Sequence, residues 1–501
     1  MRRLKMLGYL AGRLFETLRE GQLRYAWSLF AWRIERKLRY RQPFLDLGMR
    51  RESLDLEAQY QARLPRPQRP ARIEVEPAIP ETHQLLVLRG AVLRPGAAGR
   101  FASAAAGTDL VYADEDHQAD CRRVRPLFKP AYSPELHLAS NYLGDALLVS
   151  RALMSKVESA VPPGGMSTHD LALRLADAAQ QIHRIPEVLS SRTAQEPDVS
   201  LAGVEAALAR RGRRGVVTRA PDGTAAVRYP TPRASVAVVI PSAGQRALLE
   251  PCLEAIHRLS VGVEVETLVL DTRVNPRAEG EDLAPLADAP GVRVEPWGRR
   301  SFNYAAVNNE GARRTRSDYL LFLNDDTKPL DDRWLTAMLE LAQWPETAAV
   351  GSLLLYPDCS IQHAGVILGV GGPGAHALRH LTLDAQPNQP WALRTREVSA
   401  VTGACMLVRR ASFEAVGGFD ESFSVDNNDL DLCLRLWASG GRVLFTPESR
   451  VLHRESATRR KWRKPAEERA FLDRWGEQLS RGDPYYSPRL TLVREDFSLG
   501  A

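Results

Sequence analysis

At 501 residues, 44% hydrophobic and 26% charged, the chain is no collagen, coiled-coil rod or wholly disordered segment, and at about 150 residues per domain it has room for roughly two to four folded units. Its net charge of +6 comes from the first fifty residues, which hold 12 Lys/Arg against 4 Asp/Glu, whereas a nucleic-acid binder is expected to spread basic charge over its folded core. The five cysteines, Cys121, Cys252, Cys359, Cys405 and Cys433, are odd in number and scattered, which excludes a disulfide framework and points to reduced thiols in the cytoplasm.

Residues 1–60 form a basic amphipathic helical region, with Leu7, Leu10, Leu14 and Leu18 at helical spacing among arginines, followed by Trp27, Phe30, Trp32 and Ile34. Residues 1–40 suit peripheral contact with an anionic leaflet. A helix docked on the protein's own core with a solvated basic face fits the same pattern, and a basic RNA-binding arm is a weaker third reading. No apolar stretch of about 18 residues lacks a charge, so no membrane span is expected, and Met1 to Leu10 lack the apolar run of a secretory signal.

Residues 61–82 read as a Pro/Arg-rich linker, 83–195 as a compact segment and 196–233 as a second linker marked by Arg210, Arg211, Arg213 and Arg214. The long segment 234–460 follows, and 461–501 read as a C-terminal tail. Within 234–460 a β-branched run from Ser235 to Ile240 stops at Pro241, and a helical pattern passes through Leu248, Leu249, Leu253 and Ile256. Apolar runs Thr267–Leu270 and Tyr319–Leu323 stop at Asp271 and at Asn324-Asp325-Asp326. Strands alternating with helices predict an α/β fold with a mostly parallel sheet, whose ligands gather at the carboxyl ends of strands.

Asp325 and Asp326 therefore stand where a divalent cation, Mg²⁺ or Mn²⁺ by the hardness of its oxygen ligands, would meet a diphosphate. A turn with a helix cap is the competing reading. Asp271 ends a second strand, Asn427-Asn428-Asp429-Leu430-Asp431 opens a helix, and His453 follows a strand-like stretch.

Eight blocks in order then acquire a joint meaning: Val238-Val239-Ile240-Pro241-Ser242, Phe302 to Asn309, Leu321 to Thr327, Ile361 to Val366, Val401 to Cys405, Val416 to Glu421, Asn428 to Leu436 and His453 to Ser456. Residues 235 to 457 resemble a family 2 glycosyltransferase of the GT-A fold, close to the rhamnosyl-type enzymes of bacterial surface polysaccharide assembly. The resemblance implies inverting, metal-dependent transfer from a nucleotide-sugar donor to a lipid-linked or saccharide acceptor, as in O-antigen, lipopolysaccharide or capsule assembly. It implies Asp326 as main metal ligand with His453 completing the site, Asp325 at the ribose or the metal shell, and Asp429 as general base. Pro241, Ser242, Asp271 and Asn309 fall on the donor, as does Gly403 near the sugar, and His363 falls either on the sugar or acceptor side or in a buried, hydrogen-bonded structural role. Asp431 is either a structural support or an acceptor-side residue. Gly244 and the turn Asp271 to Asn275 depart from the family pattern and leave the nucleotide's identity open. The Gly369 to Gly374 run lacks the Lys-Ser/Thr ending of a phosphate loop and reads as a mobile flap.

Residues 83 to 192 resemble the carboxyl half of a second, degenerate copy. Asp114-Glu115-Asp116 look like its metal motif, but Thr168 stands in place of the base and Ser190 and Ser191 in place of the late histidine. The whole is expected to act in the cytoplasm, peripheral on the cytoplasmic face of the inner membrane. Two rivals remain open: a nucleotidyltransferase, which would release pyrophosphate, and a noncatalytic scaffold in a polysaccharide assembly complex.

Overall fold

A computed structural model describes residue 60 and residues 78–119, 122–159, 166–192, 199–273, 280–299, 301–384, 387–455 and 464–500. The basic N-terminal region and nearly all of the first linker lie outside these residues. The described chain falls into two compact units, one built from Thr231–Asp483 and Leu492–Phe497, the other from the residues before Thr231 with Pro484–Thr491 and the last few from Ser498.

The smaller unit opens with β1 (His83–Val87), β2 (Val92–Leu93), β3 (Leu110–Ala119), β4 (Arg122–Leu127), β5 (Ala146–Ser150) and β6 (Ile182–Arg192), in a sheet ordered β1-β5-β3-β6-β2 with β4 on β3. Phe101, Val111, Leu148 and Ile185 pack its core. The hairpin of β7 (Val216–Arg219) and β8 (Ala225–Arg228) follows the helix Leu201–Arg210.

Two sequence expectations change here. The acidic run Asp114 to Asp116 lies inside β3, paired with β6 on one side, and so is not a turn at a strand's end like Asp325-Asp326. Of the arginine-rich stretch 196–233, expected as a linker, residues 199–233 are folded: Arg210 and Arg211 bind Asp177 at 2.9 and 2.8 Å, and Arg213 binds Glu135 at 2.9 Å. Its arginines neutralise carboxylates of neighbouring helices, a use that composition does not distinguish from solvated charge.

The larger unit contains β9 (Ser235–Ser242), β10 (Glu264–Asp271), β11 (Val292–Pro296), β12 (Tyr319–Leu323), β13 (Thr327–Pro329), β14 (Thr347–Leu355), β15 (Ile361–His363), β16 (Val366–Leu368), β17 (Gly374–His376), β18 (Arg396–Glu397), β19 (Cys405–Arg409) and β20 (Arg442–His453). Its main sheet runs β11-β10-β9-β12-β19-β14-β20-β13. The four strands from β11 to β12 are parallel, and Val236 to Ile240 and Leu320 to Leu323 are fully buried, as strands covered on both faces must be. Beyond β12 the sheet is mixed rather than mostly parallel, because β19 enters antiparallel to both β12 and β14.

The stretch 461–501, expected as a tail, contributes the helix Pro465–Arg481, whose buried Phe471 meets Phe423 edge to face. The Gly369 to Gly374 run joins the antiparallel pair β16 and β17; it is a hairpin turn in which Gly369, Gly371 and Gly372 take positive φ. Among the described residues no helix is long and apolar enough to cross a membrane.

Candidate active site

Strand β12 ends at Leu323, paired with Cys405 of β19, and the ladder runs one step further as the Asn324 N–H donates to the Ala404 carbonyl at 3.1 Å. The chain then turns. Thr327 donates its hydroxyl to the Asn324 carbonyl at 2.7 Å, and β13 starts at Thr327 directly opposite His453 of β20. That register brings the two late motifs together: Asp326 Oδ1 lies 3.0 Å from His453 Nε2, and the Arg454 N–H donates to the Asp326 carbonyl at 3.0 Å.

The donor-side residues converge by the same logic. Parallel β9 and β10 end level, with Ser242 opposite Asp271 and Pro241 opposite Leu270. The buried Ser242 hydroxyl donates to Asp325 Oδ2 at 2.7 Å, which fixes that carboxylate. Asp271 is gripped by Arg273 at 2.9 and 2.6 Å, so a ligand at this edge meets an Arg–Asp pair rather than a lone carboxylate.

Asp429 occupies the first turn of the helix Asn428–Ala438, where a carboxylate suits the helix macrodipole. Its Oδ2 accepts the Gly403 N–H at 3.0 Å and its Oδ1 the Leu430 N–H at 2.9 Å. Burial raises its pKa above the usual aspartate value despite those bonds. Gly403 is held from below by the Tyr304 hydroxyl, which donates to its carbonyl at 2.7 Å. A Cβ on Gly403 would stand 2.8 Å from that hydroxyl, so any side chain here would have to displace the Tyr304 ring. A continuous row results: Asp429, Gly403, Ala404, Asn324, then His453 and Asp326, with Asn324 Nδ2 3.3 Å from His453 Nε2.

Three expected site residues have other uses. Asn309 spends its amide on Phe419, accepting the N–H and donating to the carbonyl, both at 2.9 Å; it clamps the Val416 to Glu421 turn instead of facing a donor. Asp431, fully buried, accepts from Arg435 and Arg474 at 2.7 Å each and from Trp475 at 3.0 Å, so its oxygens are spent on tying two helices together. Replacing Asp431 by Ala is expected to destabilise the fold by about 3 kcal/mol, since it strands two guanidinium groups. Urea unfolding measures this; an intact midpoint with an altered acceptor KM would show the structural assignment to be wrong. His363 is fully buried and neutral, since burial holds its pKa well below the ordinary range. Its ring meets His376 edge to face at 4.6 Å, and the Thr402 N–H points at Nε2 from 3.4 Å.

Sequence reasoning missed Tyr304 and Gln362. Gln362 accepts from His453 Nδ1 at 2.5 Å and donates to the His453 carbonyl at 3.1 Å. Both lie within the quoted blocks.

The donor set is compatible with a divalent ion. Because Nδ1–H of His453 is committed to the Gln362 oxygen, Nε2 presents a lone pair to a carboxylate oxygen 3.0 Å away. Two electron-rich atoms at that separation require a proton or a metal ion between them. Among the described residues no group of three or more His, Cys, Asp or Glu side chains is arranged to hold a metal.

Comparison with known proteins agrees. Residues 232–476 match the family model described as "Glycosyltransferase like family 2". The chain is 35% identical over 419 residues to the O-antigen biosynthesis protein RfbC of Myxococcus xanthus, covering 78% of this chain and 32% of that protein. It is 32% identical over 427 residues to the protein y4gI of Sinorhizobium fredii, covering 78% and 46%. It thus spans less than half the length of either relative. With the N-acetylglucosaminyl-diphospho-decaprenol L-rhamnosyltransferase of Mycobacterium tuberculosis it shares 30% identity over 229 residues, 40% of this chain and 70% of that enzyme. With the site's residues drawn from the same blocks that the family model spans, the chain belongs to glycosyltransferase family 2.

Proposed function

We propose that the larger unit is an inverting, metal-dependent glycosyltransferase that moves a sugar from a nucleotide-sugar donor to a lipid-linked or saccharide acceptor in bacterial surface polysaccharide assembly. The observation that carries this reading is the hydrogen-bonded row joining Asp326 and His453 to Asp429, which links a pair suited to a cation with a half-buried carboxylate. The relatives named for O-antigen biosynthesis and rhamnosyl transfer support the substrate class.

Asp326 and His453 would hold Mg²⁺ or Mn²⁺. When bound, the ion supplies Lewis-acid stabilisation of the charge left on the departing nucleoside diphosphate. Ser242 holds Asp325 toward the same edge, and Arg273 with Asp271 lines the nucleotide side. The acceptor hydroxyl attacks the anomeric carbon on the face opposite the diphosphate; the carbon–oxygen bond to phosphate breaks, and the hydroxyl proton passes to Asp429. Burial raises that carboxylate's basicity, and its two backbone N–H bonds hold it in place.

The test is incubation with Mn²⁺ and a panel of nucleotide sugars, with released nucleoside diphosphate measured and the product's anomeric configuration read by NMR. Nucleoside diphosphate with an inverted product is expected. Pyrophosphate would instead favour a nucleotidyltransferase, and neither product a scaffold.

The smaller unit fits a noncatalytic role. Its β5, β3 and β6 pair in the same senses as β19, β14 and β20, and in register. Counting along those ladders, Arg192, and not Ser190 or Ser191 as the sequence suggested, stands at the place of His453, and Glu115 at that of Leu354. Glu115 binds Arg192 at 2.6 Å and Lys129 at 3.3 Å in the interior, so fixed cations fill the space where a transferase keeps a metal ligand. Thr168, two residues before the Asp170–Arg174 pair that parallels Asp431–Arg435, stands where Asp429 would.

For the N-terminal region, deletion of residues 1–40 is expected to move the protein from the membrane fraction to the soluble one while donor hydrolysis persists. A truncated protein that still pellets with membranes counts against peripheral attachment through that segment.

A further inference from the structure

The pairing of β15 with β14 contains an irregularity at a telling place. Leu354 pairs with His363 and Leu355 with Ile361, so Gln362 is the extra residue of a β-bulge. Bulges re-aim a side chain. Leu355 also pairs with Leu452 of β20, so Gln362 lies between the Leu354 and Leu355 rungs on one flank of β14 and His453 one step past the Leu355 rung on the other.

Gln362 is only 1% exposed and makes two bonds to one residue. Its Nε2 donates to the His453 carbonyl at 3.1 Å, and its Oε1 lies 2.5 Å from His453 Nδ1. A carbonyl oxygen only accepts, so the amide cannot be turned round without setting two oxygens against each other. The Oε1 atom therefore faces Nδ1, and Nδ1 must carry the proton. A third contact anchors the bulge itself: His376 Nδ1 meets the Gln362 carbonyl at 3.1 Å.

We infer that Gln362 is the positioning residue of the site: it fixes the ring orientation of His453 and holds the proton on Nδ1, leaving Nε2 directed at the cation position beside Asp326. A ligating histidine whose far nitrogen is bonded to an acceptor is held in one tautomer and one rotamer, and loss of such a partner costs about 10- to 100-fold in metal affinity. The inference rests on the reading that Asp326 and His453 hold the divalent ion. It explains why the bulge matters: a regular strand, with one residue per rung, would leave no side chain at this place aimed across β14.

The test uses the full chain and two readouts. In the metal-free protein, ¹⁵N-labelled histidine NMR, with His453 assigned by difference against His453→Asn, should show an exchange-protected Nδ1 proton. Gln362→Leu should lose that protection, and Gln362→Glu, which keeps an acceptor oxygen, should retain it. Mn²⁺ affinity, followed by electron paramagnetic resonance, should fall about 10- to 100-fold in Gln362→Leu and be largely restored in Gln362→Glu. If the leucine variant does not fold, Gln362→Met, which preserves the length of the side chain, takes its place. A protected Nδ1 proton or an unchanged Mn²⁺ affinity in the apolar variant overturns the inference. Asp326→Ala separates the two levels: Mn²⁺ binding that survives it would remove the metal from this site, whereas the proton readout judges Gln362 without any metal.

Discussion

Asp429→Asn is expected to lower turnover by about 10²- to 10⁴-fold, the usual range for loss of a general base, with donor affinity nearly intact. The substitution keeps the side chain's shape and one acceptor for the Gly403 or Leu430 N–H, but removes the basic oxygen that takes the acceptor's proton. The pH profile gives a sharper check. Burial favours the neutral acid, so the folded pKa lies above that of an ordinary aspartate, and the active carboxylate is lost as pH falls through that raised value. The acid limb of kcat/KM, which reports the free enzyme, should therefore sit above that of an ordinary aspartate in the native protein and vanish in the variant. The same sign applies to stability: a raised carboxylate pKa means that folding is favoured more at low pH and loses that contribution as pH rises through the folded value. A variant with native turnover, or one that keeps the limb, would take the base role away from Asp429.

Asp326→Ala should have an effect at least as large, on the order of 10³-fold in kcat/KM, if the ion it helps to hold contributes about 4 kcal/mol of transition-state stabilisation. The informative comparison is with chelation. Removing divalent ions from the native protein should produce a similar loss, and chelation of the variant should add little, because both act on one interaction. A variant whose activity still responds to Mn²⁺ as the native protein does would place the ion elsewhere. Ser242→Ala offers a milder contrast, since it frees Asp325 from a 2.7 Å bond but leaves the Asp326–His453 pair untouched.

Most of the larger unit was legible in the chain because parallel strands buried on both faces are written as apolar runs, and their ends are marked by polar residues that have nowhere else to go. Val236 to Ile240 and Leu320 to Leu323 announce themselves in this way, and Ser242, Asp271, Asp325 and Asp326 follow from where those runs stop. Asp429 and His453 were found by motif, and the antiparallel β13–β20 pairing gives a physical reason for Asp326 and His453, 127 positions apart, to work together. The motif could not say how each polar group is spent. Asn309 and Asp431 are as polar in the sequence as Asp326, yet the first is consumed by the backbone of Phe419 and the second by Arg435, Arg474 and Trp475.

By itself, then, the order of apolar runs and the acids after them determined the α/β class and the edge of the sheet where chemistry belongs, since burial periodicity and strand ends are local properties of the chain, and the eight motif blocks carried the resemblance to the family. Tertiary structure alone decided which carboxylates remain for substrate and which are bound up in packing, that the arginines of 196–233 neutralise Asp177 and Glu135, that Asp114 to Asp116 lie inside a strand, and that a one-residue bulge turns Gln362 onto His453. Those outcomes depend on partners distant in sequence, and hydrogen-bond saturation is a property of pairs that no single position encodes.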